Sequence, residues 1–442
     1  MTTQTLDTTA LHRRFVLTPW SAQASVTMPT IERAEGSYLY DADGKRYLDL
    51  SAGLVAVNLG HAHPHVAQAI AEQAARLTYA SPQFFNATRA RLAQRLSSHA
   101  PWEEGCRAFF TTGGGEANED AVKMARAITG RHKVLAAYRS FHGSAPGAGS
   151  LTGENRRWAN EPGMPGVVHF FAPNPYRSPF HTDDPRVETA RAIEHLELVL
   201  TYENPQAVAA ILIEPVVGTN GAIVYPDGYL RALRELCTKH GIVLVFDEVM
   251  CGFGRTGAAF ASVKFDVTPD MITFAKAVTS AYVPLGGVLV RESLARYFDE
   301  HALQCGHTFS GHPLAMAAAA AALDVYEREG LFARANEIEG WIREGLAEVA
   351  ARSAYVGDAR GVGAFWAVEL VKDRTTKEPI AAWQGSNAGP LPKLLADLRA
   401  RGVYAFGRYN IILVTPPLTI ARDELIEGLR ALGDALEAFS CN

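Results

Sequence analysis

The chain has 442 residues, 48% of them hydrophobic, enough for a large core with one or two smaller domains and no disulfide staples. Its formal charge of −5 leaves no basic footprint for nucleic acid or an anionic membrane. No apolar run reaches membrane-spanning length, residues 1–10 lack the apolar centre of a secretory signal, and Cys106, Cys237, Cys251, Cys305 and Cys441 show no paired spacing, so a cytoplasmic protein with reduced thiols is expected.

In chain order, residues 37–40 and 46–50 flank Asp41-Ala42-Asp43-Gly44, which predicts a hairpin opening a small lobe. His61-Ala62-His63-Pro64-His65 invites a metal reading. It has no matching carboxylate or cysteine spacing and a proline interrupts it, so the segment reads as a turn entering a helix. From about residue 61 to residue 323, short apolar runs at 109–110, 134–135, 167–168, 209–213, 242–246, 271–274 and 288–290 alternate with helical periods. That alternation predicts a mostly parallel sheet covered by helices on both faces. Residues 116–128 read as one of those helices, with Ala117, Ala121, Met124, Ala125 and Ile128 on one stripe. Residues 155–185 form the longest irregular stretch. After Leu314 the chain turns alanine-rich and helical, then shows strand patterns at 363–370 and 411–414 and a last helix at about 423–439.

Four places carry chemistry. Asp247 ends the apolar run 242–246, where an open α/β sheet gathers ligands, although an Asp there often only caps the next turn. Lys276 follows another apolar run, 271–274; a lysine at a strand end commonly snorkels to the surface, but a desolvated one is a nucleophile and a base. An amine and a carboxylate so placed are what pyridoxal phosphate chemistry needs, the first for a Schiff base and the second to keep the pyridine nitrogen protonated. Thr111-Thr112-Gly113-Gly114-Gly115-Glu116 runs into the alanine-striped helix and offers backbone N–H groups to a phosphate. Phe141 in Phe141-His142-Gly143 is placed to stack on a flat ring, if it is not simply a core aromatic.

An ordered set of motifs across almost the whole chain resembles the class III, or ω-amino acid, aminotransferases of the type I pyridoxal phosphate fold. The set includes Ala52-Gly53-Leu54, Gly60-His61-Ala62-His63-Pro64, Thr112-Gly113-Gly114-Gly115-Glu116-Ala117-Asn118, Phe141-His142-Gly143, Glu214-Pro215, Asp247-Glu248-Val249, Gly252-Phe253-Gly254-Arg255-Thr256-Gly257, Phe274-Ala275-Lys276, Pro284-Leu285-Gly286-Gly287 and Thr308-Phe309-Ser310-Gly311-His312-Pro313. Residues 156–168 look closest to the branch acting on β-alanine, taurine and related ω-amines with pyruvate.

The resemblance implies an α/β architecture of a large pyridoxal-phosphate-binding domain over residues 61–323 and a small domain built from 1–60 and 324–442. It implies Lys276 as the Schiff-base lysine, Asp247 as the pyridinium partner, Val249 and Phe141 on the two ring faces, and Gly114 and Gly115 as phosphate donors. His142 and Glu214 would complete the cofactor site, and Thr308 would reach the phosphate of a neighbouring subunit in a homodimer or dimer of dimers. Substrate contacts would fall to Trp20, Leu54, Val55, Phe85 and Arg408. Four positions depart from the family pattern: Met250 where Gln is common, Gly115 where Ser is frequent, Phe406 where many relatives carry a carboxylate-binding Arg, and Val55 where some carry a bulky aromatic. Arg408, two residues on, is the candidate substitute, with Glu214 as its resting partner.

The function expected is transamination from an ω-amino acid or primary amine to a keto acid, pyruvate first. A lyase or aminomutase on the same fold is the runner-up. A non-catalytic cofactor-binding regulator would need a DNA-reading domain, for which the sequence has no spare basic segment.

Overall fold

The computed structural model describes residues 7–383 and 389–440; Cys441 and residues 1–6 lie outside that range. Seven strands form the central sheet, in the order Cys106–Thr111, Gly286–Arg291, Met271–Phe274, Val243–Asp247, Val208–Ile213, Lys133–Ala137, Val167–Phe170. Gly286–Arg291 is antiparallel to both its neighbours, and the other pairings are parallel. The two middle strands, Val208–Ile213 and Val243–Asp247, are buried along their whole length, which is why they read as unbroken Val/Ile/Leu runs rather than as an alternation. Asp247 pairs in register with Thr273, so the strand ends that carry Asp247 and Lys276 lie side by side at the carboxyl edge of the sheet.

Helix Gly114–Thr129 starts two residues earlier than its apolar period suggests, because Gly114 and Gly115 form its first turn. It buries Ala117, Ala121, Val122, Met124 and Ala125 and ends on Gly130 in the left-handed region, a common helix stop. Helices Pro185–Glu203 and Tyr229–His240 pack together over the apolar cluster that contains Phe246, while Gly114–Thr129 packs on the sheet with Val245.

Strands Ile31–Glu35, Tyr38–Asp41 and Arg46–Asp49 form an antiparallel sheet, extended by Val403–Tyr404 lying parallel to Arg46–Asp49. A second small sheet joins Val356–Val362, Phe365–Asp373, Ile411–Val414 and Gly407–Arg408. Gly363, expected inside a strand, is the turn of that hairpin: its φ is +57°, and a Cβ there would meet the Arg255 carbonyl oxygen at 2.4 Å. The 155–185 stretch contains two short helical turns, Asn155–Asn160 and Pro175–Arg177, on either side of the edge strand Val167–Phe170. No helix among the described residues is long and apolar enough to cross a membrane.

Candidate active site

A cleft of about 570 Å³ opens at the carboxyl edge of the sheet. It is lined by Asp247 and Lys276, by Phe141 and Val249, and by residues 113–115. Asp247 is buried and fully engaged. Oδ2 accepts from Asn118 Nδ2 at 2.8 Å and His142 Nδ1 at 2.7 Å, and Oδ1 accepts from Val249 N at 3.0 Å. Asn118 is itself fixed, donating also to the His142 carbonyl (2.8 Å) and accepting from Thr273 Oγ1 (2.7 Å). Three donors around one carboxylate hold its direction.

Lys276 lies in the left-handed region, with φ +47°, and Ser280 and Ala281 nearby have φ of +50° and +62°. Such backbone costs about 1 kcal/mol or more at each residue and persists where the surroundings over-determine it. Here it turns the lysine into the cleft directly after the buried strand. Burial lowers the Lys276 ammonium below its usual range, against the opposing pull of Asp247 and Glu214. A lysine so desolvated supplies a neutral amine more readily than a surface one.

Glu214 is buried, accepting Phe141 N at 2.9 Å and Gly218 N at 2.7 Å, and desolvation pushes its carboxyl up to about 7. It thereby pins the backbone that carries the Phe141 ring. Helix Gly114–Thr129 has no side-chain cap at Gly113, so its first N–H groups and the positive end of its dipole face the cleft. Gly114 is obligatory, since a Cβ would lie 2.8 Å from both Val249 methyl groups. At Gly115 the nearest atom would be Gly143 Cα at 3.6 Å, so a serine would fit and its absence costs the cradle a hydroxyl rather than relieving a clash. An uncapped N-terminus for a phosphate, a hydrogen-bonded carboxylate at the same strand edge as a desolvated amine, and Phe141 and Val249 beside them together fit pyridoxal phosphate.

A second cavity of about 530 Å³ adjoins the first, and Trp20 borders both. Its polar lining includes Asn155, Arg156, Arg399, Arg408 and Tyr409. Buried Glu154 sits between two of the arginines, bonded to Arg156 Nε and 3.0 Å from Arg408 Nη2. The Arg156 guanidinium lies 3.7 Å over the Phe141 ring and 5.8 Å from Trp20, linking the two cavities. Arg156 escaped the reading of single residues. Its signal was the polar stretch Asn155-Arg156-Arg157-Trp158, but sequence gives no means of placing an irregular segment against Phe141.

The structure thus gathers Lys276, Asp247, Gly114, Gly115, Phe141, His142, Glu214, Val249 and Trp20 around one cleft. Others fall elsewhere. Arg408 lines the second cavity and meets Glu154, not Glu214, whose two oxygens are already taken by backbone N–H groups. Val55 is not a pocket wall: it is 1% exposed, packed with Val216, Met250 and Ile411, and Ala56 lines the cleft instead. Leu54, Phe85 and Thr308 face solvent outside this chain's cleft, Phe85 entirely so. His61, His63 and His65 meet three different carboxylates, Asp49, Glu329 and Asp324.

Sheet, cleft and paired Asp247 and Lys276 define a pyridoxal-phosphate transferase architecture. Residues 20–436 match the family profile Aminotransferase class-III, and the chain belongs to that family, whose members use pyridoxal phosphate. Among solved structures it is similar to a taurine:2-oxoglutarate aminotransferase from Bifidobacterium kashiwanohense, in complex with pyridoxal phosphate and glutamate, at 43% identity and TM-score 0.93 over 96% of each chain. It is also similar to an (S)-enantioselective omega-transaminase from Thermomicrobium roseum, at 36% identity and TM-score 0.91 over 97% of each. A 5-aminovalerate aminotransferase from Pseudomonas aeruginosa is 34% identical over 92% of this chain and 93% of its own.

Proposed function

We propose that this aminotransferase moves an amino group from an acid-bearing ω-amine of the β-alanine or taurine kind to a keto acid, pyruvate first. The observation that carries this reading is Glu154 between Arg156 and Arg408. Two guanidiniums share one carboxylate beside the cleft and Arg399 lines the same cavity, so net positive charge is left for an acidic group on a substrate.

Pyridoxal phosphate, when bound, supplies an aldehyde for amines and a ring that accepts electrons. The first N–H groups of helix Gly114–Thr129 would hold its phosphate, Phe141 and Val249 would bracket its ring, and Asp247 would keep a proton on its ring nitrogen. Lys276 would anchor it covalently and would be the base that takes a proton from the donor's amine-bearing carbon. Its lowered proton affinity suits that second task. Arg156 and Arg408 orient the acid group, and the Trp20 and Phe141 rings, edge to face at 6.4 Å, limit water at the junction.

The active unit in this reading is a homodimer. Tyr79, Phe84, Phe85 and Phe309 are exposed in one region, where Tyr79 donates to Thr308 O at 3.0 Å and Arg89 ties the Phe84 carbonyl (3.2 Å) to that of Gly311 (3.2 and 3.1 Å). A contiguous aromatic surface of this kind needs a partner, and Thr308 and Phe85 on it would complete the neighbour's cleft.

A panel of β-alanine, taurine and 5-aminovalerate with pyruvate or 2-oxoglutarate tests the reading, scored by alanine and glutamate formation. Alanine formation that depends on the keto acid is expected. Amine turnover without any keto acid would make the enzyme a lyase or aminomutase, and glutamate as the main product would replace pyruvate by 2-oxoglutarate.

A further inference from the structure

Helix Gly114–Thr129 presents polar side chains in opposite directions. Asn118 and Asp120 are two residues apart, about 200° around a helix of 3.6 residues per turn. Asn118 reaches the Asp247 carboxylate on the cleft side. Asp120, buried, reaches the segment 305–312 on the other, where His307 Nε2 donates to its Oδ2 at 2.6 Å; Lys123 Nζ donates to its Oδ1 at 3.1 Å. Asp120 lies about 9 Å along the axis from Gly114, less than two turns from the phosphate cradle.

The segment it grips is tied at its start by Cys305, whose Sγ donates to the Asp120 carbonyl at 4.0 Å, and at three further points. His307 bonds to Asp120, the Thr308 carbonyl accepts from Tyr79, and the Gly311 carbonyl accepts from Arg89 through Nε and Nη2. Between those anchors, Thr308 and Phe309 are exposed on the aromatic surface assigned above to a second copy. His307 is the side-chain anchor that connects this exposed part to the helix whose first turn opens on the cleft, with the weaker Cys305 thiol contact to the same residue's carbonyl beside it. Tyr79 and Arg89 precede that helix and do not touch it.

We propose that Asp120 and His307 are a positioning pair that couples filling of the phosphate cradle to docking of a second copy on the 305–312 segment. This rests on the dimeric reading. A helix is a stiff rod, so displacement of its first turn by a bound anion is carried to Asp120 and from there to the segment the partner must meet. Coupling of this kind is reciprocal: docking must hold the cofactor as much as the cofactor holds the dimer. A buried carboxylate that loses its donor is left poorly satisfied, which makes the pair a defined point at which to cut the connection.

The test is the rate of cofactor release from the holoenzyme at protein concentrations above and below the midpoint of dimer dissociation, with the dimer fraction followed by sedimentation velocity. In the wild type, release is expected to quicken about tenfold or more on dissociation. His307→Phe, which removes the donor at a partly exposed position, should shrink that ratio several-fold, leaving only what the neighbour's Thr308 supplies directly. His307→Gln, which keeps an N–H donor, should restore most of the wild-type ratio, a rescue that loss of packing alone would not give; Asp120→Leu should behave as His307→Phe. An unchanged ratio in a dimeric His307→Phe would overturn the pair and leave the dimer reading standing. A wild-type monomer that holds cofactor as tightly as the dimer would overturn both.

Discussion

Arg408 meets the Glu154 carboxylate at 3.0 Å while its Nη1 is buried without a partner, and the other Glu154 oxygen is bonded to Arg156. Arg408 is also braced by Asn155 Oδ1 at 2.8 Å and by the Tyr409 hydroxyl at 2.9 Å, so it is already directed toward the cavity. Phe406, at the position where many relatives carry a carboxylate-binding arginine, lines the same cavity as an apolar wall.

Arg408→Ala is therefore expected to raise KM for pyruvate about tenfold to a hundredfold, the range for losing a charge-assisted hydrogen bond of about 1.5–3 kcal/mol. KM for an uncharged primary amine should change little. Steady-state kinetics with both substrates varied checks the difference, and equal effects on the two would return Arg408 to a structural role.

Asp247→Asn preserves shape and removes charge. Asn118 and His142 both donate to Oδ2, so an amide there either turns its N–H groups toward existing donors or loses one of them. The amine half-reaction should slow by about two to three orders of magnitude, as when a fixed charge facing a developing one is lost. Single-turnover absorbance measures it, and near-normal rates with cofactor fully bound would remove Asp247 from the chemistry.

How far the sequence reaches is visible at particular residues. Asp247 and Lys276 were legible because both follow buried strands whose apolar runs mark the carboxyl edge of a parallel sheet, and Gly114 and Gly115 because they open an amphipathic helix. Local pattern suffices there. Asn118 was not singled out, since its role needs the tertiary approach of Asp247, Thr273 and the His142 carbonyl, which are distant in the chain. Glu154 and Arg156 sit in an irregular segment with no period to fix their direction. Val55 was misread because a residue two positions from a motif glycine can face either way; its φ of +56° turns it inward to Met250.

Glu214 offers a test of burial itself. Desolvation raises its folded-state value from 4.5 to about 7, so between those values the folded chain binds more protons than the unfolded one. Stability then falls as pH rises through that window, and the loss is complete above it. In denaturant titrations of the cofactor-free chain, the fall from pH 5 to pH 8 should be about 2–3 kcal/mol smaller in Glu214→Gln than in wild type. Parallel pH profiles for the two proteins would show that Glu214 does not carry this penalty.

The dimer reading predicts where a single charge should act. Phe85 is fully exposed and Phe309 is 54% exposed, so Phe85→Asp and Phe309→Asp remove little packing within this chain and should leave its unfolding nearly unchanged. In a two-fold dimer each substitution occurs twice. Burying one phenylalanine stabilises an interface by about 1.5–3 kcal/mol, so either variant should weaken association by about 3 kcal/mol or more, at least a hundredfold in dissociation constant. If Thr308 and Phe85 complete the neighbouring cleft, activity should fall with the dimer fraction as protein is diluted, and faster in the variants. Sedimentation velocity and activity measured at matched concentrations check both statements. Variants that remain dimeric, or a monomer with full specific activity, would leave the aromatic surface without this role.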